Sequence, residues 1–301
     1  MDELAFTDND GVEVFYRRWA PNDSVRAVVL VVHGASEHSG RYARFAELLR
    51  DEGYAVYALD LRGHGRTADS TGRGRTGPGG MNAVLADVDE LANRARTDFP
   101  AVPVVLFGHS MGSVIAQAYV ERSGDQLAGY VLSGTMGVME GAEDMATVIR
   151  DAVTAGMADE PLDMLGGFNM TFEPARTKYD WLSRDPEEVD KYVNDPWCGD
   201  NLPLTYGFVA EMLDTVATIM DEEEIARVPK HLPVLLITGE ADPVSNGAVQ
   251  VRELEKRLRD AVLDVTAKYY ADARHELLNE INRDDVHADI VAWLNRVTPA
   301  A

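Results

Sequence analysis

The sequence contains one cysteine, five lysines and no apolar run long enough to span a membrane. The lone Cys198 excludes an intramolecular disulfide and fits a reducing compartment. A helix that crosses a bilayer needs about 20 consecutive apolar residues, so no transmembrane helix is expected. The acidic start, MDELAFTDND, lacks the hydrophobic segment of a secretory signal. These features predict a cytoplasmic protein.

Positive charge is scarce as well. The 301 residues carry 51 acidic side chains against 28 lysines and arginines, which gives a formal net charge of −23. Charge of this sign repels nucleic acid phosphates and anionic lipid headgroups, so no nucleic acid partner is expected. The charge bears on solubility rather than on chemistry, and it leaves the oligomeric state open.

What the sequence has is a regular alternation of apolar strands and amphipathic helices. Such an alternation predicts an α/β fold with a mostly parallel central sheet and helices on both faces. The segment 11–19 alternates in the manner of a half-exposed antiparallel edge strand. The other predicted strands are 27–32, 55–60, 102–107, 127–133, 233–238 and 265–270. One predicted helix ends at residue 49, and the others cover 81–97, 113–124, 246–259 and 284–297.

The segment 136–229 interrupts this alternation. It is mainly helical in pattern, holds 21 acidic against 6 basic residues, and contains eight of the eleven methionines. We therefore expect residues 1–135 and 230–301 to form the α/β core and 136–229 to form a helical cap over the strand ends. The methionines are either core filler or an adaptable apolar wall for a flexible chain.

The central motif is GHSMG, residues 108–112, between an apolar strand and a helix. Placing Ser110 at the tip of such a tight turn requires an unfavourable backbone conformation, and side chains at 108 and 112 would collide. The helix behind Ser110 would point free N–H groups at a developing oxyanion. The pattern in this context predicts a nucleophile elbow rather than a structural Gly-Ser turn.

Two late loops supply candidate partners for this serine. Asp242 follows the strand predicted at 233–238, and His275 follows the strand predicted at 265–270. Ligands of open α/β sheets bind at the carboxyl ends of the strands, where these loops lie. The chain order Ser110, Asp242, His275 is the order expected of an α/β-hydrolase.

Other residues of the same types compete for these roles. Glu240 and Asp272 are alternative acids close to the predicted pair. The alternative bases in nearby loops are His33, His38, His64 and His109. Each of these histidines lies in a glycine-containing turn, where a structural hydrogen bond is the commoner role. His275 ranks above them because the candidate acid lies on the preceding loop.

Several motifs in the same order resemble those of the monoacylglycerol lipase and lysophospholipase-type family of α/β-hydrolases. They are HGASEHSGRY, DLRGHGRT, GHSMGS, SRDPEEVDKYVNDP, GEADPV and ARHELLNE. The resemblance covers nearly the whole chain and is weakest between residue 133 and SRDPEEVDKYVNDP. It implies an α/β-hydrolase fold and a serine-dependent carboxylic ester hydrolase.

The same resemblance assigns roles to residues. Ser110 would be the nucleophile, His275 the general base and acid, and Asp242 the acid that orients the histidine. The backbone N–H groups of Ala35 and Met111 would form the oxyanion hole.

By the same resemblance, Glu37 and Arg41 would line a polar pocket for the glycerol head of a monoacylglycerol; alternatively they are a surface ion pair at the start of a helix. The expected substrate is a monoacylglycerol or a similar single-chain acyl ester, with possible transient contact with lipid interfaces. A lysophospholipid, a short-chain or aromatic ester, or a peptide remains an alternative substrate. No cofactor is expected.

Three further readings of the sequence are disfavoured. Residues 66–80 are expected to form a flexible loop. Within it, residues 72–77 spell G-x-G-x-x-G, but they do not directly follow a strand, so a dinucleotide site is not expected. His275-Glu276 is half of a zinc-protease motif, with Asn279 in place of the second histidine, and no metal site is predicted. A non-catalytic receptor on a hydrolase scaffold is opposed by the complete candidate triad.

Overall fold

The computed structural model describes residues 1–219 and 221–299. The strands in these residues are β1 Asp2–Thr7, β2 Glu13–Trp19, β3 Ala27–Val32, β4 Tyr54–Leu59, β5 Val104–His109, β6 Gly129–Ser133, β7 Pro161–Leu162, β8 Leu204–Thr205, β9 Val234–Gly239 and β10 Val265–Tyr270. Eight of them form one sheet in the order β1-β2-β4-β3-β5-β6-β9-β10, and β7 pairs separately with β8. Only β1–β2 and β2–β4 are antiparallel in the large sheet. The prediction of a mostly parallel sheet is confirmed.

Helices cover both faces of this sheet, as predicted. They are α1 Ala43–Asp51, α2 Ala68–Thr71, α3 Gly80–Asp98, α4 Met111–Ser123, α5 Ala142–Ala152, α6 Pro186–Asn194, α7 Tyr206–Thr218, α8 Glu222–Arg227, α9 Val249–Asp260 and α10 Arg283–Val297. Successive residues of a strand point to opposite faces. Val29 accordingly packs in a cluster with α1 and α10, whereas Leu30 packs in a cluster with α3, α4 and α9. No helix within residues 1–219 and 221–299 is long and apolar enough to cross a membrane.

The parallel pairing brings the strand ends that carry the candidate residues to one edge of the sheet. Val32 pairs with Gly108, and His109 pairs with Ser133. On the other side of β6, the ends of β9 and β10 are aligned in the same direction. The loops after β3, β5, β9 and β10 therefore meet above this edge, which is where an open α/β sheet binds its ligands.

The predictions for two amino-terminal segments need correction. The segment 11–19 is not an edge strand: it forms β2, which lies between β1 and β4. We did not predict β1, because only Phe6 of its six residues is buried and the apolar alternation is correspondingly weak. The segment 66–80 is not a continuous loop, since it contains α2 and ends in the first residue of α3.

The segment 136–229 lies between β6 and β9 and contains α5 to α8. Its second part is continuous with the main core: Phe208, Leu213 and Ile225 pack in the same cluster as α3 and α4. Its middle part has a small apolar cluster of its own, made of Tyr179, Trp181, Leu182, Val189, Tyr192 and Cys198. Ala142 and Ala146 of α5 also lie in the main cluster, so the segment is attached to the sheet helices at both ends and has separate packing in its middle.

Candidate active site

Ser110 lies at a strained turn between β5 and α4. Its backbone φ of 53° and ψ of −121° fall in a region that residues with a side chain rarely adopt. A Cβ on Gly108 would overlap the carbonyl oxygen of Gly112, and one on Gly112 would overlap that of Val32. Both glycines are therefore required by the close approach of backbone to backbone, as the sequence predicted.

The turn is held by hydrogen bonds on both sides of the serine. The Ser110 N–H donates to the carbonyl oxygen of Ser133 at 2.9 Å, which ties the turn to β6. The Ser113 hydroxyl donates to the Ser110 carbonyl oxygen at 2.5 Å. Ser110 is partly exposed, whereas His109 and Met111 are buried. The strained backbone thus exposes the serine side chain while the side chains on either side of it are buried.

Asp242 and His275 form a buried hydrogen-bonded pair. The His275 Nδ1 lies 2.9 Å from the Asp242 Oδ2, and neither side chain is more than 2% exposed. A carboxylate can only accept, so Nδ1 carries the proton and Nε2 is left as the basic atom. Burial acts to lower the pKa of His275, but the charge and hydrogen bond of Asp242 raise it above its ordinary value.

The rival acids do not reach this histidine. Glu240 is exposed and bonds Arg252 at 2.6 Å. Asp272 is exposed at a turn with a φ of 58°. The imidazole of His275 also contacts that of His109, which directly precedes Ser110, with ring centroids 4.8 Å apart. The structure therefore brings Ser110, Asp242 and His275 to the same edge of the sheet.

The turn after β3 contacts this serine and carries Ala35. Gly34 packs so closely that a Cβ on it would lie 3.1 Å from the Cβ of Ser110. The Gly34 N–H donates to the Glu37 carboxylate at 2.6 Å, and the Ser36 N–H donates to the His64 Nε2 at 3.1 Å. These bonds fix the backbone N–H groups of the two residues that flank Ala35.

Met111 is the other residue predicted to contribute an oxyanion donor. It is the first residue of α4, where a backbone N–H has no acceptor within its own helix. The positive end of the helix dipole lies at the same place. A developing negative charge beside Ser110 would be stabilised there.

Three of the rival histidines are structural. His33 accepts from the Leu61 N–H at 2.9 Å, and His64 accepts from the Ser36 N–H. Burial lowers the pKa of both, that of His64 to about 3, so both are neutral. Burial, together with the neighbouring charge of His275, lowers the pKa of His109 to about 4. None of the three is suited to take a proton near neutral pH.

Glu37 and Arg41 belong to a buried ionic network rather than to a surface ion pair. Arg41 bonds Glu37 at 2.7 Å and holds both carboxylate oxygens of Glu276, at 2.5 and 2.7 Å. Burial would raise the pKa of Glu37, but the charge of Arg41 and other nearby groups lowers it to about 2. With His109 and Leu277, these residues line a cavity at the site.

Glu276 is the member of this network that the sequence analysis missed. The sequence analysis considered Glu276 only as part of an incomplete zinc motif. Its position directly after the candidate base was a usable signal, since a side chain there must lie at the strand-end edge of the sheet. Asn279, the residue that breaks the zinc motif, instead donates to the Glu276 carboxylate at 2.9 Å.

One group of possible metal ligands was also missed because its members are distant in the sequence. The ligand atoms of His38, Asp195 and Cys198 lie within 4.8 Å of one another. The His38 Nδ1 accepts from the Gly40 N–H at 3.2 Å, so its Nε2 carries the proton and donates to Asp195 at 3.1 Å. Burial raises the pKa of the Cys198 thiol. His38 and Asp195 are thus paired with each other and the thiol is protonated, which does not fit a resident cation.

Comparison with known proteins gives consistent results. Residues 23–282 match the family described as "Serine aminopeptidase, S33". The chain is 30% identical to a monoacylglycerol lipase of Mycolicibacterium smegmatis, over 97% of this chain and 96% of that protein. It is 31% identical to the human monoglyceride lipase, over 97% of this chain and 90% of that protein.

A solved structure shares the fold closely. A thermostable carboxyl esterase from Bacillus coagulans, determined in complex with glycerol, superimposes with a TM-score of 0.93 at 30% identity. The match covers 99% of this chain and 98% of that one. A lipase described as an open form gives a TM-score of 0.89 at 30% identity, over 99% of both chains.

Proposed function

The chain belongs to the serine aminopeptidase S33 family of α/β-hydrolases and is a serine hydrolase of carboxylic esters, and we propose that it cleaves monoacylglycerols through an acyl-enzyme on Ser110. The observation that carries the proposal is the buried pair of Asp242 and His275, at the same edge of the sheet as a serine with a strained backbone. A base oriented by a carboxylate next to a presented hydroxyl is the arrangement that acyl transfer requires.

In the proposed reaction, the Ser110 oxygen attacks the ester carbonyl while the His275 Nε2 takes its proton. The tetrahedral oxyanion accepts hydrogen bonds from the N–H groups of Ala35 and Met111. The alcohol leaves with the proton from His275, and water then hydrolyses the acyl-enzyme with His275 as base. Asp242 keeps Nδ1 protonated and stabilises the imidazolium. The reaction needs no cofactor.

We propose that residues 136–229 act as a cap that receives the acyl chain. A cavity next to the oxyanion turn is lined by Ser36, by the polar residues Asp163, Tyr179 and Asp200, and by apolar residues of this segment. Those apolar residues are Pro161, Leu162, Met164, Leu165, Pro203 and Leu204. Flexible methionine and leucine side chains suit an acyl chain of variable length. We also propose a cytoplasmic location, since the sequence contains one cysteine and therefore no intramolecular disulfide.

The test is hydrolysis of a substrate panel by the purified wild type and Ser110→Ala. The panel contains monoacylglycerols of rising chain length, a lysophospholipid, short-chain and aromatic p-nitrophenyl esters, and an aminoacyl p-nitroanilide. We expect the highest serine-dependent kcat/KM with medium or long monoacylglycerols. A preference for the lysophospholipid, for short or aromatic esters, or for the anilide would contradict the proposed substrate. An inactive protein would favour the receptor interpretation.

We further propose that Arg41 contacts the alcohol part of the substrate, since it lines the cavity beside His109. Arg41→Lys keeps the charge but cannot bond both carboxylates of the network. We expect about a tenfold loss of kcat/KM for monoacylglycerols, the value of one hydrogen bond to a charged group, with p-nitrophenyl esters much less affected. The matched variant Glu37→Ala should affect both substrates because Glu37 holds Gly34. Equal losses with Arg41→Lys would make Arg41 purely structural.

Transient contact with lipid is proposed for the face around α5, where large apolar side chains are exposed. Met145 and Val148 are 43% and 66% exposed. We expect the double variant Met145→Ser, Val148→Ser to slow hydrolysis of monoacylglycerol in zwitterionic vesicles but not of a soluble ester. Val249→Ser, at an exposed valine outside this segment, is the control. Equal behaviour of the two variants on vesicles would contradict the proposal.

A further inference from the structure

The candidate base contacts a stretch of the insertion, residues 179–185. The Glu276 N–H donates to the Leu182 carbonyl oxygen at 2.8 Å, so this stretch and the segment after His275 lie side by side. The indole ring of Trp181 packs against the imidazole of His275, with centroids 5.0 Å apart and planes inclined at 43°. Trp181 is only 2% exposed. His275 is thus held by a residue from outside the α/β core.

A buried carboxylate fastens this stretch to the loop of the base. Glu280 is fully buried and accepts from the backbone N–H groups of Arg274 and Arg184, at 2.9 and 3.1 Å. It also accepts from the Arg184 Nε at 2.9 Å. Arg274 in turn donates to the carbonyl oxygens of Asp180 and Ser183. The stretch and the loop therefore form one rigid unit, because side chains of the loop form hydrogen bonds with the stretch and the shared carboxylate bonds both segments.

We propose that Trp181 is a positioning residue for His275: its ring holds the imidazole in line with Ser110 and stabilises the imidazolium that forms during catalysis. Aromatic pairs at this centroid separation attract each other, and indole is the side chain that best stabilises a neighbouring cation. The inference rests on the proposed function and extends it, since it assigns to a residue of the insertion a role in holding the general base.

Other groups around His275 would be unchanged by a substitution of Trp181. The charged ones are Asp242, Glu276 and Glu37, which all favour the protonated imidazole. His109 is neutral, and its ring contacts the same imidazole. A change seen on replacing Trp181 therefore reports the loss of the indole ring and not a changed set of charges.

The choice of replacement follows from one detail of the packing. The indole Nε1 of Trp181 is buried and has no hydrogen-bond partner within the described part of the chain. Trp181→Phe therefore keeps a ring and removes an N–H that contributes no bond, so the fold should be retained. Trp181→Ala removes the ring. Trp197→Ala is the matched control: Trp197 is in the same insertion, and its ring packs under Arg73.

Steady-state kinetics on a soluble p-nitrophenyl ester tests the proposal. We expect Trp181→Ala to lower kcat about 10- to 100-fold with little change of KM, because a slightly misplaced base costs rate rather than binding. Trp181→Phe should recover most of kcat, and Trp197→Ala should match the wild type. A loss confined to KM, or a folded Trp181→Phe as slow as the alanine variant, would overturn the proposal.

A second measurement remains available if Trp181→Ala fails to fold, and it does not depend on ester hydrolysis. A protonated imidazole quenches the fluorescence of an indole in contact with it. The difference in fluorescence between the wild type and Trp181→Phe should therefore titrate with pH, with the same apparent pKa as His275. A pH-independent difference would refute the contact whatever the enzyme hydrolyses, whereas an inactive wild type with a titrating difference would refute only the proposed function.

Discussion

Ser110→Ala is expected to lower kcat/KM for every ester by about 10⁴-fold or more, because it removes the only atom that the proposed acyl-enzyme can form on. The effect on folding should be small. The side chain is partly exposed, and the hydrogen bonds that hold the turn are made by its backbone N–H and carbonyl groups. Circular dichroism and thermal unfolding should therefore match the wild type to within about 0.5 kcal/mol.

The control for this variant is Ser123→Ala, at the opposite end of α4, which should retain full activity. An organophosphorus ester that reacts with activated serines gives an independent readout by mass spectrometry. It should label the wild type once and leave Ser110→Ala unlabelled. Substantial turnover by a folded Ser110→Ala, or labelling of another serine, would remove Ser110 from the role of nucleophile.

The elements nearest to this serine were the most predictable from sequence. The strands that precede Ser110 and Asp242 are fully buried runs of apolar residues, and such runs admit few alternatives. The glycines at 108 and 112 are dictated by backbone contacts, so their spacing between an apolar strand and a helix identified the turn. Local chemistry determines these features, and local sequence therefore reveals them.

Contacts between distant segments were not predictable in the same way. Whether Glu37 and Arg41 were exposed could not be read from their own neighbourhood, since Glu276 completes the network from 235 residues beyond Arg41. The packing of Trp181 on His275 likewise depends on how the insertion folds back. The edge position of β1 is set by pairing with β2, although β1 itself buries little. These features belong to tertiary structure, and periodicity carries no signal for them.

Asp242→Asn is the second substitution with a large expected effect. An asparagine can donate its amide hydrogen to Nδ1, which favours the tautomer of His275 that has its proton on Nε2. That tautomer cannot accept the proton of Ser110, and kcat/KM should fall by about 10⁴-fold at neutral pH. The fold should persist because asparagine retains the shape of the side chain and an oxygen for the Val244 N–H. Asp272→Asn, at an exposed turn of the adjacent loop, should have no effect.

The pH dependence of kcat/KM distinguishes an electrostatic role of Asp242 from a merely structural one. Only unprotonated His275 acts as a base, so activity should rise with pH through its pKa. Asp242 raises that pKa, which puts the acidic limb of the wild-type kcat/KM profile above the ordinary value of 6.5. Without the carboxylate, burial dominates and lowers the pKa, so the limb of Asp242→Asn should move to lower pH while its plateau stays low. A limb that stays in place in Asp242→Asn, or that moves in Asp272→Asn instead, would assign the charge that holds His275 to a different residue.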